Sequence, residues 1–293
     1  MRAGVLNIDK PAGATSFTVV RRLRGLTKAK RVGHAGTLDP LATGVLPILF
    51  GSATRLSDYA HRLSKTYEAN VHLGFTTPTD DAEADREPVG DPSGLTAAEV
   101  AGALDAFVGR ISQRPPAFSA VKIDGQRSYR RARAGELDRP PARTVEIDAA
   151  ELLDFTPGPE AVALVRVVCA SGVYLRSLAR DLGDKLGVGG YLGKLVRTGY
   201  GPLTIATATA LDSLETVEQV EARLEPPEVL LPDVVAVRLS VEQEAQVRQG
   251  RSVRVLPQPP LGPLRAHGEE GQLVAIGHAD PLRHTFVPEK VLT

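Results

Sequence analysis

The sequence predicts an α+β fold with a small β-rich unit at its C-terminal end, and three observations carry that expectation. Runs of two-residue alternation mark strands around 65–75, 144–155 and 161–170. Capped helical segments fall between the strands in no repeating order, which argues against a regularly alternating parallel sheet. A proline-marked break at 225–233 is followed only by short strands and one short helix. The length of 293 residues suits one large domain with a smaller one attached, expected at 1–230 and 231–293.

The first element reads as a strand from Gly4 to Ile8, turning through Lys10-Pro11-Ala12-Gly13 into a helix over 16–26. Thr15 or Ser16 can cap that helix, with Phe17, Val20 and Leu23 expected on one face. A glycine-bracketed loop, Gly33 to Gly44, leads into the apolar run Val45-Leu46-Pro47-Ile48-Leu49-Phe50, expected as a buried strand with an irregularity at its proline. Along 65–75, Tyr67, Ala69, Val71, Leu73 and Phe75 alternate with mainly polar neighbours, as in a half-buried strand. The acidic, proline-containing stretch from Thr76 to Ser93 reads as an exposed loop. Thr96 and Glu99 form a capping box opening a helix to about Val108, and a helix is expected over 128–134.

In the 161–170 strand both alternating sets are largely apolar, so it is expected to be central and covered on both sides. A helix from about Tyr174 to Leu186 ends in the glycines Gly187, Gly189, Gly190 and Gly193, read as a turn between elements. Past the break, Ser240 and Gln243 cap a short helix ending near Gly250, with strands expected at 251–256 and 273–278.

Composition narrows the class. The single cysteine, Cys169, rules out an intrachain disulfide and, with no cysteine pair, a zinc site of the usual kind. No apolar run is long enough to cross a bilayer and no signal-like segment opens the chain, so a cytosolic protein without a membrane partner is expected. Lys+Arg and Asp+Glu both number 35, giving zero formal charge. The charge is nevertheless segregated: Arg21, Arg22, Arg24, Lys28, Lys30 and Arg31 form one basic stretch, and Arg127, Arg130, Arg131, Arg133, Arg139 and Arg143 another. Either could be a solvated face or could meet phosphates.

Familiar cofactor motifs fail. A dinucleotide fingerprint from Gly187 would need glycine at Leu192, and a P-loop ending in Gly193-Lys194 would need Ser or Thr at Leu195. His34, His61, His72, His267, His278 and His284 lack metal-ligand spacing, and no nucleophile elbow is present. No metal and no cofactor is expected.

The loop Gly33-His34-Ala35-Gly36-Thr37-Leu38-Asp39-Pro40-Leu41-Ala42-Thr43-Gly44 has chemical character of its own, because its glycines permit close backbone approach around one carboxylate. By spacing alone an Asp-Pro of this kind is usually a turn. The run continuing through Gly51-Ser52-Ala53-Thr54-Arg55 closely resembles the defining motif of the TruB family, the bacterial tRNA pseudouridine-55 synthases. Further segments resemble the family in order: Asp9 to Ser16, Lys65 to Ala69, Arg114 to Lys122, Gly172 to Gly183, and Leu195 to Thr198.

The resemblance implies a catalytic domain built on a mixed, mainly antiparallel sheet flanked by helices, followed by a PUA-like domain that helps grip RNA. It implies isomerisation of a uridine in the T arm of tRNA, by a chain expected to act as a monomer without a cofactor. Asp39 would be the essential carboxylate, attacking sugar or base or removing a sugar proton. An attacking carboxylate must be ionised, which a nearby cation favours, and Arg176 matches the family arginine that pairs with it. Tyr67 would stack on the base and could exchange a proton at C5. Tyr174 and Leu195 would belong to the uridine pocket, His34 would fill space left by extruded bases, and Lys10 would support the loop or a phosphate.

Departures from the pattern include Phe118 in place of a common tyrosine and Phe17 in place of a frequent histidine. Val196 interrupts an arginine pair before Arg197, which bears on a phosphate contact. Two other readings stay open: an RNA-folding chaperone, and the catalytic subunit of a guide-RNA particle.

Overall fold

The computed structural model describes residues 1–119, 139–256 and 260–292, and the backbone of 122–123 and 126–127. In chain order the first strands are β1 (Gly4–Lys10), β2 (Val32–His34), β3 (Thr43–Phe50), β4 (Lys65–Leu73), β5 (Phe75–Thr76), β6 (Glu87–Pro88) and β7 (Gly109–Gln113). There follow β8 (Lys122–Ile123), β9 (Gln126–Arg127), β10 (Arg143–Thr156), β11 (Val162–Cys169), β12 (Gly190–Tyr200), β13 (Leu203–Thr204) and β14 (Thr209–Ala210). The C-terminal strands are β15 (Val235–Arg238), β16 (Val253–Arg254), β17 (Pro263–His267), β18 (Leu273–Asp280) and β19 (Thr285–Val291). Among the described residues the α-helices are α1 (Ser16–Thr27), α2 (Ser57–Arg62), α3 (Ala97–Asp105), α4 (Leu175–Lys185), α5 (Val217–Ala222) and α6 (Val241–Arg248).

A ten-stranded sheet in the order β14-β1-β3-β12-β4-β11-β10-β7, with β2 on β3 and β13 on β12, carries the large unit. Only the β1/β14 and β3/β12 pairings are parallel, so the sheet is mixed and mainly antiparallel as expected. The five-stranded sheet β15-β17-β18-β19-β16 forms the small C-terminal unit around Val247, Leu264, Val274 and Phe286. Its Ile276 and Leu292 join Val5, Leu49, Leu56 and Leu230 in a core shared with the large unit. Arg55 Nη1 donates to the Val291 carbonyl at 2.6 Å, and Lys290 pairs with Asp58 beside it.

Helix capping is legible in the sequence. Thr15 accepts from the Thr18 amide at 3.0 Å, and the capping boxes Thr96/Glu99 and Ser240/Gln243 are both formed. Several expectations need correction. Phe17 is 68% exposed, because α1 buries Ser16, Val19, Val20, Leu23 and Thr27 instead. The pairing of β3 with β1 runs without irregularity through Pro47. On the other edge β12 meets β3 only at Thr43 and Gly44, and β2 only at 48–50, so Pro47 falls where no strand asks for its missing N–H. Strand β11 is central but buries one face only, since Arg166 is exposed and Val162, Leu164 and Val168 are half-buried. The helix expected over 128–134 lies outside the described residues.

Register explains where the site forms. Arg197 of β12 pairs with Gly44 of β3 on one side and Tyr67 of β4 on the other. That places the end of the Asp39 loop, Arg197 and Tyr67 on three adjacent strands. The junction requires glycine: Gly44 has φ +96°, and a Cβ there would stand 2.3 Å from the Arg197 carbonyl oxygen. Backbone that also pairs in the sheet cannot yield, so Gly44→Ala is expected to destabilise by about 3–5 kcal/mol, read as a shifted urea midpoint. Gly33, by contrast, lies in β2, where an added Cβ would meet nothing nearer than the Thr54 methyl at 3.9 Å, so its glycine is not demanded by sterics.

Candidate active site

The Asp39 loop is pinned from behind by polar contacts that the sequence order makes local. Ser16 Oγ at the start of α1 accepts from the Leu38 amide at 2.9 Å and donates to the Leu38 carbonyl at 3.2 Å. Lys10, fully buried at the end of β1, donates to the carbonyls of Pro11 (2.9 Å), Ala14 (2.7 Å) and Pro40 (3.3 Å). The Gly13 amide also reaches the Pro40 carbonyl, at 2.8 Å. From the β12 side, Arg197 Nη2 donates to the Gly36 carbonyl at 3.0 Å and Nε to the Val45 carbonyl at 2.6 Å. The loop is therefore held on both sides by buried cations that bond its carbonyls and that of Val45 at the start of β3.

Asp39 itself remains open, its side chain 39% exposed. Arg176 Nε lies 3.0 Å from Asp39 Oδ2, but its N–H is not aligned as a hydrogen bond, so the contact is an ion pair held mainly by charge. Arg176 is buried in the first turn of α4, where Nη2 donates to the Phe118 carbonyl at 3.0 Å and Nη1 to the Thr79 carbonyl at 3.3 Å. Its Nη1 also lies 3.4 Å from Asp81 Oδ2. One guanidinium thus bridges the cleft carboxylate and a buried one.

That buried carboxylate belongs to a segment expected to be an exposed loop. Asp80 and Asp81 are 3% and 2% exposed, docked on β12 through the Leu192 amide and the Ala82 amide. Asp80 takes Arg180 Nη1 at 2.8 Å and Arg139 Nη2 at 3.0 Å. Its pKa is nevertheless raised, because burial outweighs the two arginines. Asp81 is held by the Thr79 hydroxyl at 2.6 Å and the Glu83 amide at 3.0 Å. Thr77 and Pro92 are buried too, while the part from Glu83 to Val89 does face solvent apart from a half-buried Ala84. Sequence alternation cannot separate a buried acid from an exposed one in such a segment. A signal did exist on the partner helix: Arg176 and Arg180 are spaced i, i+4 among Leu175, Leu178, Ala179 and Leu182, on the face that must be buried.

Asp39 and Arg176 open onto a cleft of about 530 Å³, also lined by Tyr67, Leu195, Tyr174, Phe118, Lys65, Arg143 and Arg197. Tyr67, on β4, has its phenol pKa raised by burial, with Arg197 pulling the other way. Tyr174 caps α4, its backbone bracketed by the Gln113 amide side chain at 2.9 and 3.1 Å, with the Arg143 guanidinium 5.0 Å from its ring centre. Leu195 is 6% exposed and supplies an apolar wall. The structure thus brings together Asp39, Arg176, Tyr67, Tyr174 and Leu195, whereas Lys10 stands behind the loop and neither it nor His34 is among the residues lining the cleft. His34 is half-buried on β2 with its pKa lowered by burial and then by Arg197. Arg197 is 1% exposed and spends Nε and Nη2 on the Val45 and Gly36 carbonyls. Among the described residues no group of three His, Cys, Asp or Glu side chains gathers as a metal site, and no helix is long and apolar enough to cross a membrane.

Lysine burial sets a pH signature. Lys10 is pushed down to about 8 by burial, which outweighs the attraction of Asp39, and Lys65 to about 8 by burial with Arg197 adding to it. Below pH ~8 both states of the chain hold these protons and the folded state bears the full cost of burying the charges. Between about 8 and the ordinary lysine value of 10.5 the unfolded chain holds more protons, so stability rises with pH in that window. Lys10→Met is expected to reduce the rise to roughly half, measured as urea midpoints at about pH 7.5 and 9.5.

The family model for the N-terminal domain of the TruB family pseudouridylate synthases matches residues 24–175. A tRNA pseudouridine synthase B of Gloeothece citriformis is 39% identical, the alignment covering 99% of this chain and 97% of the relative. One of the same name from Thermobifida fusca is 43% identical, covering 94% of each. Among solved structures, a chain of a Cbf5-Nop10-Gar1 complex superposes with a TM-score of 0.72 at 27% identity, covering 99% of this chain and 85% of the other. A family model that matches half of the chain, and relatives about 40% identical that align with it almost from end to end, place the protein in the TruB family of pseudouridylate synthases.

Proposed function

We propose that the chain converts one uridine of the tRNA T loop, position 55, to pseudouridine, acting in the cytoplasm as a monomer and without a cofactor. The observation that supports this most is the half-exposed Asp39 carboxylate, 3.0 Å from buried Arg176, at a cleft that also offers Tyr67. The reaction breaks the bond from the sugar to N1, turns the base, and joins the sugar to C5; the C5 hydrogen leaves as a proton and N1 gains one. Asp39 acts on the substrate as the essential carboxylate. Arg176 holds it in place, and Tyr67 stacks on the base and exchanges the C5 proton.

Tyr174 and Leu195 complete the uridine pocket, and Lys10 fixes the loop through Pro40. His34, beside the loop, occupies the space that an extruded base vacates, since a stacked base cannot be worked on in place. Residues 231–293 act as a PUA-like domain that grips the RNA, tied to the catalytic unit at Arg55 and Asp58 and by the core the two share.

The test is incubation of the isolated chain with an unmodified tRNA transcript, followed by pseudouridine mapping at single-nucleotide resolution. Pseudouridine at one T-loop position without any added guide RNA supports the reading. Modification only when a guide and partner proteins are supplied would replace it with the particle-subunit reading.

A further inference from the structure

The cleft holds more positive charge than its carboxylate balances. Among the described residues its lining includes Lys65, Arg143, Arg176 and Arg197 but only one acid, Asp39. Three of these cations are committed. Arg176 pairs with Asp39 and Asp81. Arg197 spends Nε and Nη2 on loop carbonyls. Lys65 donates to the His61 carbonyl at 2.8 Å, to Ser171 Oγ at 2.6 Å and to the Leu63 carbonyl, which uses all three of its N–H groups.

Arg143 is different. Nη2 donates to the Gly172 carbonyl at 2.6 Å, and the guanidinium lies over the Tyr174 ring, yet among the described residues neither Nε nor Nη1 has an acceptor and no carboxylate pairs with it. A guanidinium held over an aromatic ring and fixed at one nitrogen has lost rotamer freedom in advance; Nε is itself buried, so the donors it can present in a set plane are those of its two terminal nitrogens. Such a fork fits the tetrahedral oxygens of a phosphate, to which arginine bonds with charge assistance.

Resting on the tRNA reading above, we propose that Arg143 is a substrate-binding residue that takes a backbone phosphate flanking the target uridine. Tyr174, between Arg143 and the first turn of α4, then sets the distance from that phosphate to Asp39. The residue holds the nucleotide and takes no part in bond making, so its loss falls on binding.

The experiment compares wild type, Arg143→Gln and Arg143→Lys for affinity to one T-arm RNA over a range of salt, alongside isomerisation by wild type and Arg143→Gln. Arg143→Gln is expected to weaken binding about tenfold near 0.1 M salt. Its salt slope should be flatter by about 0.7, the value for one single-strand phosphate, with kcat within about threefold of wild type. Arg143→Lys should recover the slope but only part of the affinity. RNA with a neutral methylphosphonate in place of the flanking phosphate, on one side of the uridine, should weaken wild type about tenfold and leave Arg143→Gln no weaker than it already is. An unchanged salt slope in Arg143→Gln, equal methylphosphonate penalties in both proteins, or a loss confined to kcat overturns the proposal. Failure of wild type to isomerise the RNA would count against the tRNA reading alone, since the binding slopes still decide the phosphate contact.

Discussion

Asp39→Asn is expected to fold normally, bind RNA as wild type does, and isomerise uridine more slowly by a factor on the order of 10⁴. The side chain is half-exposed and its loop is anchored through Leu38, Pro40 and Gly36, none of which depends on the carboxylate. An amide of the same shape keeps the packing but can neither form an ester-like adduct nor accept a proton. The loss corresponds to about 5 kcal/mol of transition-state stabilisation. Single-turnover assays with enzyme in excess over tRNA read the chemical step, and circular dichroism checks the fold.

The second large effect is at Arg176, where activity and stability fall together. Arg176→Gln removes the charge that holds Asp39 and, in the same stroke, strands Asp81, a 2% exposed carboxylate. Removing one partner from a buried ion pair costs about 3–5 kcal/mol, because the other charge is left uncompensated. Isomerisation should drop roughly 10²–10³-fold through misplacement of Asp39. The double variant Arg176→Gln/Asp81→Asn separates the two effects: stability should return in part, as measured by urea midpoint, while activity stays low. Recovery of activity along with stability would mean that Arg176 serves the fold only.

Much of this architecture can be read from residue order, and the failures share a cause. Strand and helix positions follow from alternation and capping, both local properties; Thr96 and Glu99, or Ser240 and Gln243, reach their partners three residues away. Asp39, Arg176 and Tyr67 are legible only through the resemblance of ordered motifs, since an Asp-Pro loop alone has no chemical signature. What escapes is long-range. Asp81 meets Arg176, and Asp80 meets Arg180, across about a hundred positions, within a segment whose acidity and proline content speak only of solvent. Arg197 shows in the sequence only as one more cation, yet the pairing of β12 between β3 and β4 turns it inward to hold Gly36 and Val45. Arg139 belongs to a basic run, and its fold partner is Asp80. In each case the charge is visible and its partner is not, because a pairing set by sheet register leaves no periodic trace.

Joining the sugar to C5 expels the hydrogen there, and this gives the central claim its most direct measurement. Unmodified tRNA carrying tritium at C5 of its uridines, incubated with the isolated chain alone, should release one equivalent of tritium per tRNA into water. The Asp39→Asn protein should release none on the same timescale. No release by the wild-type chain, or release by Asp39→Asn at the wild-type rate, would contradict a uridine isomerase that works through Asp39.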